Sequence, residues 1–165
     1  MQQRETDSTA VGAADGHVAT VDDLIARPFP EREVGPGKAK DGRWGGPGYH
    51  LAVLRESRDF WDDRSEEVVE AAELELEADL AALVKTMTSR WGHPKVVDLW
   101  PYLGFDDPDP EYAAPQPLLF LCNVAGRMHV WRLPDSDRWI GLTIGQADRE
   151  YPLQLIAALG VASAW

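Results

Sequence analysis

From Ser65 to Trp91 the chain holds neither glycine nor proline, and both ends carry helix-boundary signals. Asp63 or Ser65 can cap the start, and Glu66 and Glu67 suit the positive end of a helix dipole. Lys85 and Arg90 lie near the negative end. Gly92 then offers a left-handed stop and Pro94 forbids continuation. Val69, Leu76, Leu80, Leu83, Met87 and Trp91 recur at helical spacing and define one apolar stripe. The spacing therefore predicts a single helix roughly 40 Å long at 1.5 Å per residue. So long a stripe must lie against something broad, and the chain beyond Pro94 reads mainly as strands.

Lys95 to Leu99 is expected as a first strand, and Trp100 to Pro115 as a loop rich in Pro and Asp. Strands are then expected at Leu118–Val124, Arg127–Leu133 and Arg138–Ile144, joined by hairpin turns at Ala125-Gly126 and at Pro134 to Asp137. A short C-terminal helix is expected over Pro152 to Leu159, with Pro at its first position and Gly160 past its end. The fold class is α+β: a long helix packed on a three- to four-stranded antiparallel meander, followed by that short helix. With both hairpins paired as written, His129, Trp131, Leu133, Ile140, Leu142 and Ile144 share one sheet face with Leu118, Phe120 and Cys122. Met128, Val130 and Trp139 share the other with Leu119 and Leu121. The long helix covers one apolar face. The second needs the N-terminal segment, the C-terminal helix or another molecule.

Upstream, residues 1–20 mix small and polar residues without periodicity and are expected to be a disordered tail. Val21 to Ala26 can form a short helical turn. Residues 21–56 read as an irregular Gly/Pro-rich strap lying on the core, and residues 57–165 as the α+β domain. At 165 residues, one domain of this size can build a core without a disulfide or a metal.

The formal net charge of −12 argues against a phosphate-backbone partner: nucleic-acid affinity rests on clustered Lys and Arg. The same field would steer a basic protein partner. The lone cysteine, Cys122, leaves no intrachain disulfide and no Cys-rich zinc site. The longest apolar run, Pro117 to Cys122, is too short to span a bilayer, and the N-terminus lacks the basic-then-apolar order of a signal peptide. A cytoplasmic protein without membrane contact is expected, with its oligomeric state left open.

Candidate catalytic and cofactor motifs fail one by one. Gly35-Pro36-Gly37-Lys38 imitates a phosphate loop, but Ala39 stands where the magnesium-binding hydroxyl belongs and Arg32 where the first Gly belongs. Cys122 and His129 would face each other across a hairpin, yet among Phe120, Trp131 and Leu142 a thiol is raised in pKa and inert. His17, His50, His93 and His129 have no partner at ligand spacing, so no metal is expected. Asp106 to Glu111 lacks the Gly and the ligand alternation of a calcium loop. No cofactor is implied.

What remains is a surface. Glu66, Glu70, Glu73 and Glu77 share one helix face, and Trp100, Tyr102 and Phe105 beside the Asp-rich loop are aromatic anchors of the kind found at interface hot spots.

Arg90-Trp91-Gly92-His93-Pro94, Val130-Trp131-Arg132, Asp137-Arg138-Trp139 and Asp148-Arg149-Glu150 together resemble a group of small acidic actinobacterial proteins of no assigned activity, over roughly the last 110 residues. The helix-then-meander order also resembles, at fold level, immunity proteins and acidic secretion chaperones. Fold likeness carries no function by itself. The expected function is a small acidic protein-binding module, immunity-like or chaperone-like, that takes a basic protein partner and has no catalytic activity. The alternative is a small-ligand-binding protein or an enzyme with a cleft near His93, Trp100 and Arg132.

Overall fold

The computed structural model describes residues 15–38, 41–103 and 115–161. Three helices and six strands account for most of them. Helix α1 runs through residues 15–26, and α2 and α3 are Glu66–Trp91 and Leu118–Val124. The strands are β1 (Arg43–Gly46), β2 (Tyr49–Glu56), β3 (Lys95–Asp98), β4 (Arg127–Arg132), β5 (Arg138–Gly145) and β6 (Gln154–Val161). They form one open antiparallel sheet in the order β1-β2-β6-β5-β4-β3. The class is α+β as expected, with more strands than the three to four of the sequence reading.

Helix α2 spans 26 residues, about 39 Å. Ala72, Leu76, Leu83 and Met87 are its buried residues. Asp63 Oδ1 accepts the Ser65 N–H at 2.9 Å just ahead of the helix. At the other end Gly92 takes φ 87°, and its N–H donates to Thr88 O at 2.9 Å, a conformation that costs glycine little.

Strands β4 and β5 pair as anticipated, with His129 opposite Leu142 and Trp131 opposite Ile140. On one face Trp131, Leu133, Ile140 and Leu142 pack with Leu83 and Met87 of α2, Val21 and Leu24 of α1, and Ala157 and Leu159 of β6. On the other, Met128, Val130 and Trp139 pack with Leu118, Leu121 and Cys122 of α3, with Leu99, and with Tyr49 and Leu51 of β2.

Four expectations are corrected. The stretch Leu118–Val124 is a helix, not a strand. Its buried residues Leu118, Leu121 and Cys122 recur at i, i+3 and i+4, and the Gln116 side chain accepts the Phe120 N–H at 3.1 Å. As a helix it covers the second sheet face. Residues 152–159 are no C-terminal helix: β6 lies between β2 and β5 and is buried on both sides from Leu155 to Gly160. A strand covered on both faces is a continuous apolar run, which periodicity cannot tell from a short helix. The irregular strap over 21–56 contains the β1–β2 hairpin, turned by Pro47 and by Gly48 at φ 83°. The tail expected over 1–20 is helical from residue 15 onward; residues 1–14 lie outside the described ones. Among the described residues, no helix is long and apolar enough to cross a membrane.

Candidate functional site

Packing one stripe of α2 against the sheet leaves its acids on two flanks with different fates. On one flank they are used internally. Arg55 reaches from β2 to place Nη1 2.9 Å from Asp79 Oδ2 and Nη2 3.2 Å from Glu75 Oε2. His17 of α1 brings Nε2 to 3.4 Å from the same Asp79 oxygen. On the other flank Glu66, Glu70, Glu73 and Glu77 are all exposed, and among the described residues none of the four makes an ion pair. Leu74 stands beside them, four residues after Glu70 and three before Glu77, and is 66% exposed. A leucine on an outward helix face gains nothing from folding and carries its apolar area into water. A groove of about 300 Å³ lies on the side of the helix that carries Glu75, between Arg58 and the α2 residues Glu67, Val68, Ala71, Ala72 and Glu75, and not on the flank of the four glutamates.

The approach to α2 adds aromatic surface. Trp61 and Tyr151 are exposed and meet edge to face, with ring centroids 5.4 Å apart. Arg64 Nη1 joins the same two segments by its ion pair to Glu150 Oε1 at 3.0 Å. Sequence reasoning passed over Leu74, Trp61 and Tyr151. Leu74 falls off the apolar stripe, which was the readable signal. Trp61 follows the buried Phe60 between Asp59 and Asp62, in a stretch without periodicity. The aromatic residues that were singled out go elsewhere. Tyr102 packs against the cluster under α3, on the far side of the sheet from α2, and Trp100 is exposed on the same 3₁₀ turn, Trp100–Leu103. The structure therefore does not bring these two to the four glutamates; Phe105 lies outside the described residues.

A second concavity, of about 350 Å³, opens where the end of α1 meets the edge strand β1. Leu24, Arg27, Pro28, Pro30, Val34, Arg43, Trp44, Gly45 and His50 line it. His50 is 4% exposed, its Nε2 is 3.1 Å from Arg27 O, and Phe29 tilts over its ring at 5.2 Å. Burial, the larger effect, holds the imidazole below its usual pKa against the opposing pull of the Arg27 carbonyl. Arg27 and Arg43 both donate to one oxygen of Asp23. Arg138 lies 4.7 Å from the Phe29 ring centroid and donates to Ile25 O at 3.1 Å. The cleft of the alternative reading was expected near His93, Trp100 and Arg132. All three are exposed, and none lines either of these concavities.

Cys122 is buried in α3 against the face that carries Met128, Val130 and Trp139, whereas the cross-strand partner of His129 is Leu142, on the α2 face. The sheet separates the two, so no thiol–imidazole pair exists across a hairpin. The Cys122 S–H donates to Leu119 O at 3.3 Å, and burial pushes the thiol pKa up. Pro36–Lys38 is a 3₁₀ turn without a following helix, which is not how a phosphate loop is built. Among the described residues, no three of His, Cys, Asp and Glu converge as a metal ion would need.

Compared with models of protein families, with curated proteins and with solved structures, the chain finds no match.

Proposed function

We propose that this protein is a small acidic binding module that takes a basic, amphipathic segment of another protein onto the outer flank of α2, acting by contact and not by catalysis. In this reading it neutralises or escorts that partner, as immunity proteins and secretion chaperones do. The observation that carries it is the pairing of an exposed Leu74 with four carboxylates that have no cation among the described residues. The neighbouring acids Glu75 and Asp79 are engaged by Arg55, so the open flank is not a general property of the helix. The Trp61–Tyr151 pair extends the contact surface beyond the helix.

The two components play different parts. Burying the exposed two-thirds of Leu74 contributes about 1–2 kcal/mol, scaled from the ~1.5–3 kcal/mol of a whole leucine. Each exposed charge pair adds only ~0–1 kcal/mol. The carboxylates act mainly through their summed field, which salt screens beyond about 10 Å at 0.1 M. They speed encounter; Leu74 and the aromatics hold the complex.

The test is capture of partners from native cell extract on immobilised protein, at low and high salt, with two variants beside the natural chain. Reversal of Glu66, Glu70, Glu73 and Glu77 to Lys should abolish capture of basic proteins and leave the circular dichroism unchanged. Leu74→Asn should weaken capture without changing its salt dependence. Capture of the same proteins by all three forms would reject the reading.

A further inference from the structure

We infer that the cleft between the end of α1 and β1 is a binding site for a small monocarboxylate with an apolar body, and that Asp23 is its internal competitor. This site is separate from the α2 flank and does not depend on the reading given for it.

The anion end is argued from the guanidinium groups. Arg27 Nη2 lies 2.9 Å from Asp23 Oδ2, and Arg43 Nη1 donates to the same atom. Two guanidiniums thus converge on a single carboxylate oxygen. Each carries five N–H donors in a planar fork suited to a two-point grip on a carboxylate. Asp23 is about half exposed, at 47% of its side chain, so it can give way. Arg138, held by the Ile25 carbonyl and the Phe29 ring, makes no ion pair among the described residues. Glu33 on the same edge is engaged by the Tyr49 hydroxyl, so the charged groups lining the cleft itself are the guanidiniums of Arg27 and Arg43.

The apolar end is argued from the lining. Leu24, Pro28, Pro30, Val34 and Trp44 supply carbon surface. At about 350 Å³ the space sits at the small end of ligand sites, ~300–1,000 Å³. At Gly45, strand β1 packs tightly on β2: a Cβ there would lie 2.6 Å from Tyr49 O and 3.3 Å from His50 Nδ1. His50 is nine-tenths buried and ring-stacked, a fixed polar group next to an apolar wall. Few placed polar groups in a mostly apolar concavity are the usual make-up of a small-molecule site.

Phenylacetate and its neutral isostere phenylacetamide, titrated separately into the isotopically labelled protein at low salt, test the inference through amide shifts. Phenylacetate should give saturable shifts confined to Arg27, Arg43, Gly45, His50 and their neighbours. Phenylacetamide should bind at least about tenfold more weakly, since a charge-assisted hydrogen bond is at stake. Asp23→Asn, which frees both guanidiniums, should tighten phenylacetate binding severalfold, and Arg27→Gln with Arg43→Gln should abolish it. Equal binding of acid and amide, shifts elsewhere, no saturation, or indifference to Asp23→Asn would overturn the inference. The acid-against-amide comparison needs no variant and stands even if a substituted chain fails to fold.

Discussion

Gly160→Ala tests the least expected part of the fold, the central position of β6. Gly160 pairs with Trp139 of β5. A Cβ at Gly160 would lie 2.6, 2.7 and 2.8 Å from the Trp139 indole atoms Cζ2, Cε2 and Nε1. The ring cannot drift away freely, because its Nε1–H donates to Val161 O at 3.0 Å and the residue is fully buried. Overpacking of this kind costs about 1–3 kcal/mol. A gain of about 0.4–1 kcal/mol from the stiffer unfolded chain offsets part of it. A net loss of about 1–2 kcal/mol is expected, or roughly 2–8 °C in Tm for a domain of this size. The single variant does not discriminate, since a glycine closing a helix would also resist alanine. The cycle with Trp139→Leu does. Removing the indole makes room for the new methyl, so the two substitutions should couple by about 0.5–3 kcal/mol and the double variant should be more stable than the sum predicts. Urea midpoints of the four proteins measure this. Additivity within about 0.5 kcal/mol would refute the packing of Trp139 on Gly160 and with it the strand register.

Two further outcomes concern the titrating groups. His50 is held neutral in the fold, so the unfolded chain takes up a proton near the usual pKa of about 6.5 where the folded one does not. The stability it contributes is complete above that pH and is lost as pH falls toward the depressed folded value; urea midpoints should drop between about pH 7.5 and 5.5, and the drop should shrink in His50→Gln. Cys122, buried and raised in pKa, should react with a thiol reagent only at the rate of unfolding; rapid labelling of the intact fold would contradict its placement under α3.

Much of the α2 half of the molecule was legible. Helix caps, a 3.6-residue stripe and the Pro134–Asp137 turn are local signals, and they located α2, β3, β4 and β5 and the shared face of Trp131 and Ile140. The misreadings fell where local signals are ambiguous. Leu118–Val124 and Leu153–Leu159 are short apolar runs whose state is decided by what they touch: α3 caps a sheet face, and β6 fills the gap between β2 and β5. Pro152 and Gly160 imitated helix ends. Gly46-Pro47-Gly48 was a turn signal for the β1–β2 hairpin, masked by the glycines around it. For the site, the exposed glutamates could be read from spacing. Which of them remain unpaired could not, because Arg55 is some twenty residues from Glu75 and Asp79 in the chain and meets them only across the packed helix. The cleft at His50 likewise exists only once α1 folds onto β1.

The claim that the outer flank of α2 is a docking surface is tested most directly by amide shift mapping with a synthetic helical peptide of alternating Lys and Leu faces. The account predicts shifts centred on Leu74 and on Glu66, Glu70, Glu73 and Glu77, weakened by salt and removed by Leu74→Asp together with the four charge reversals. Shifts spread evenly over the acidic surface, or centred away from α2 and indifferent to those substitutions, would contradict it.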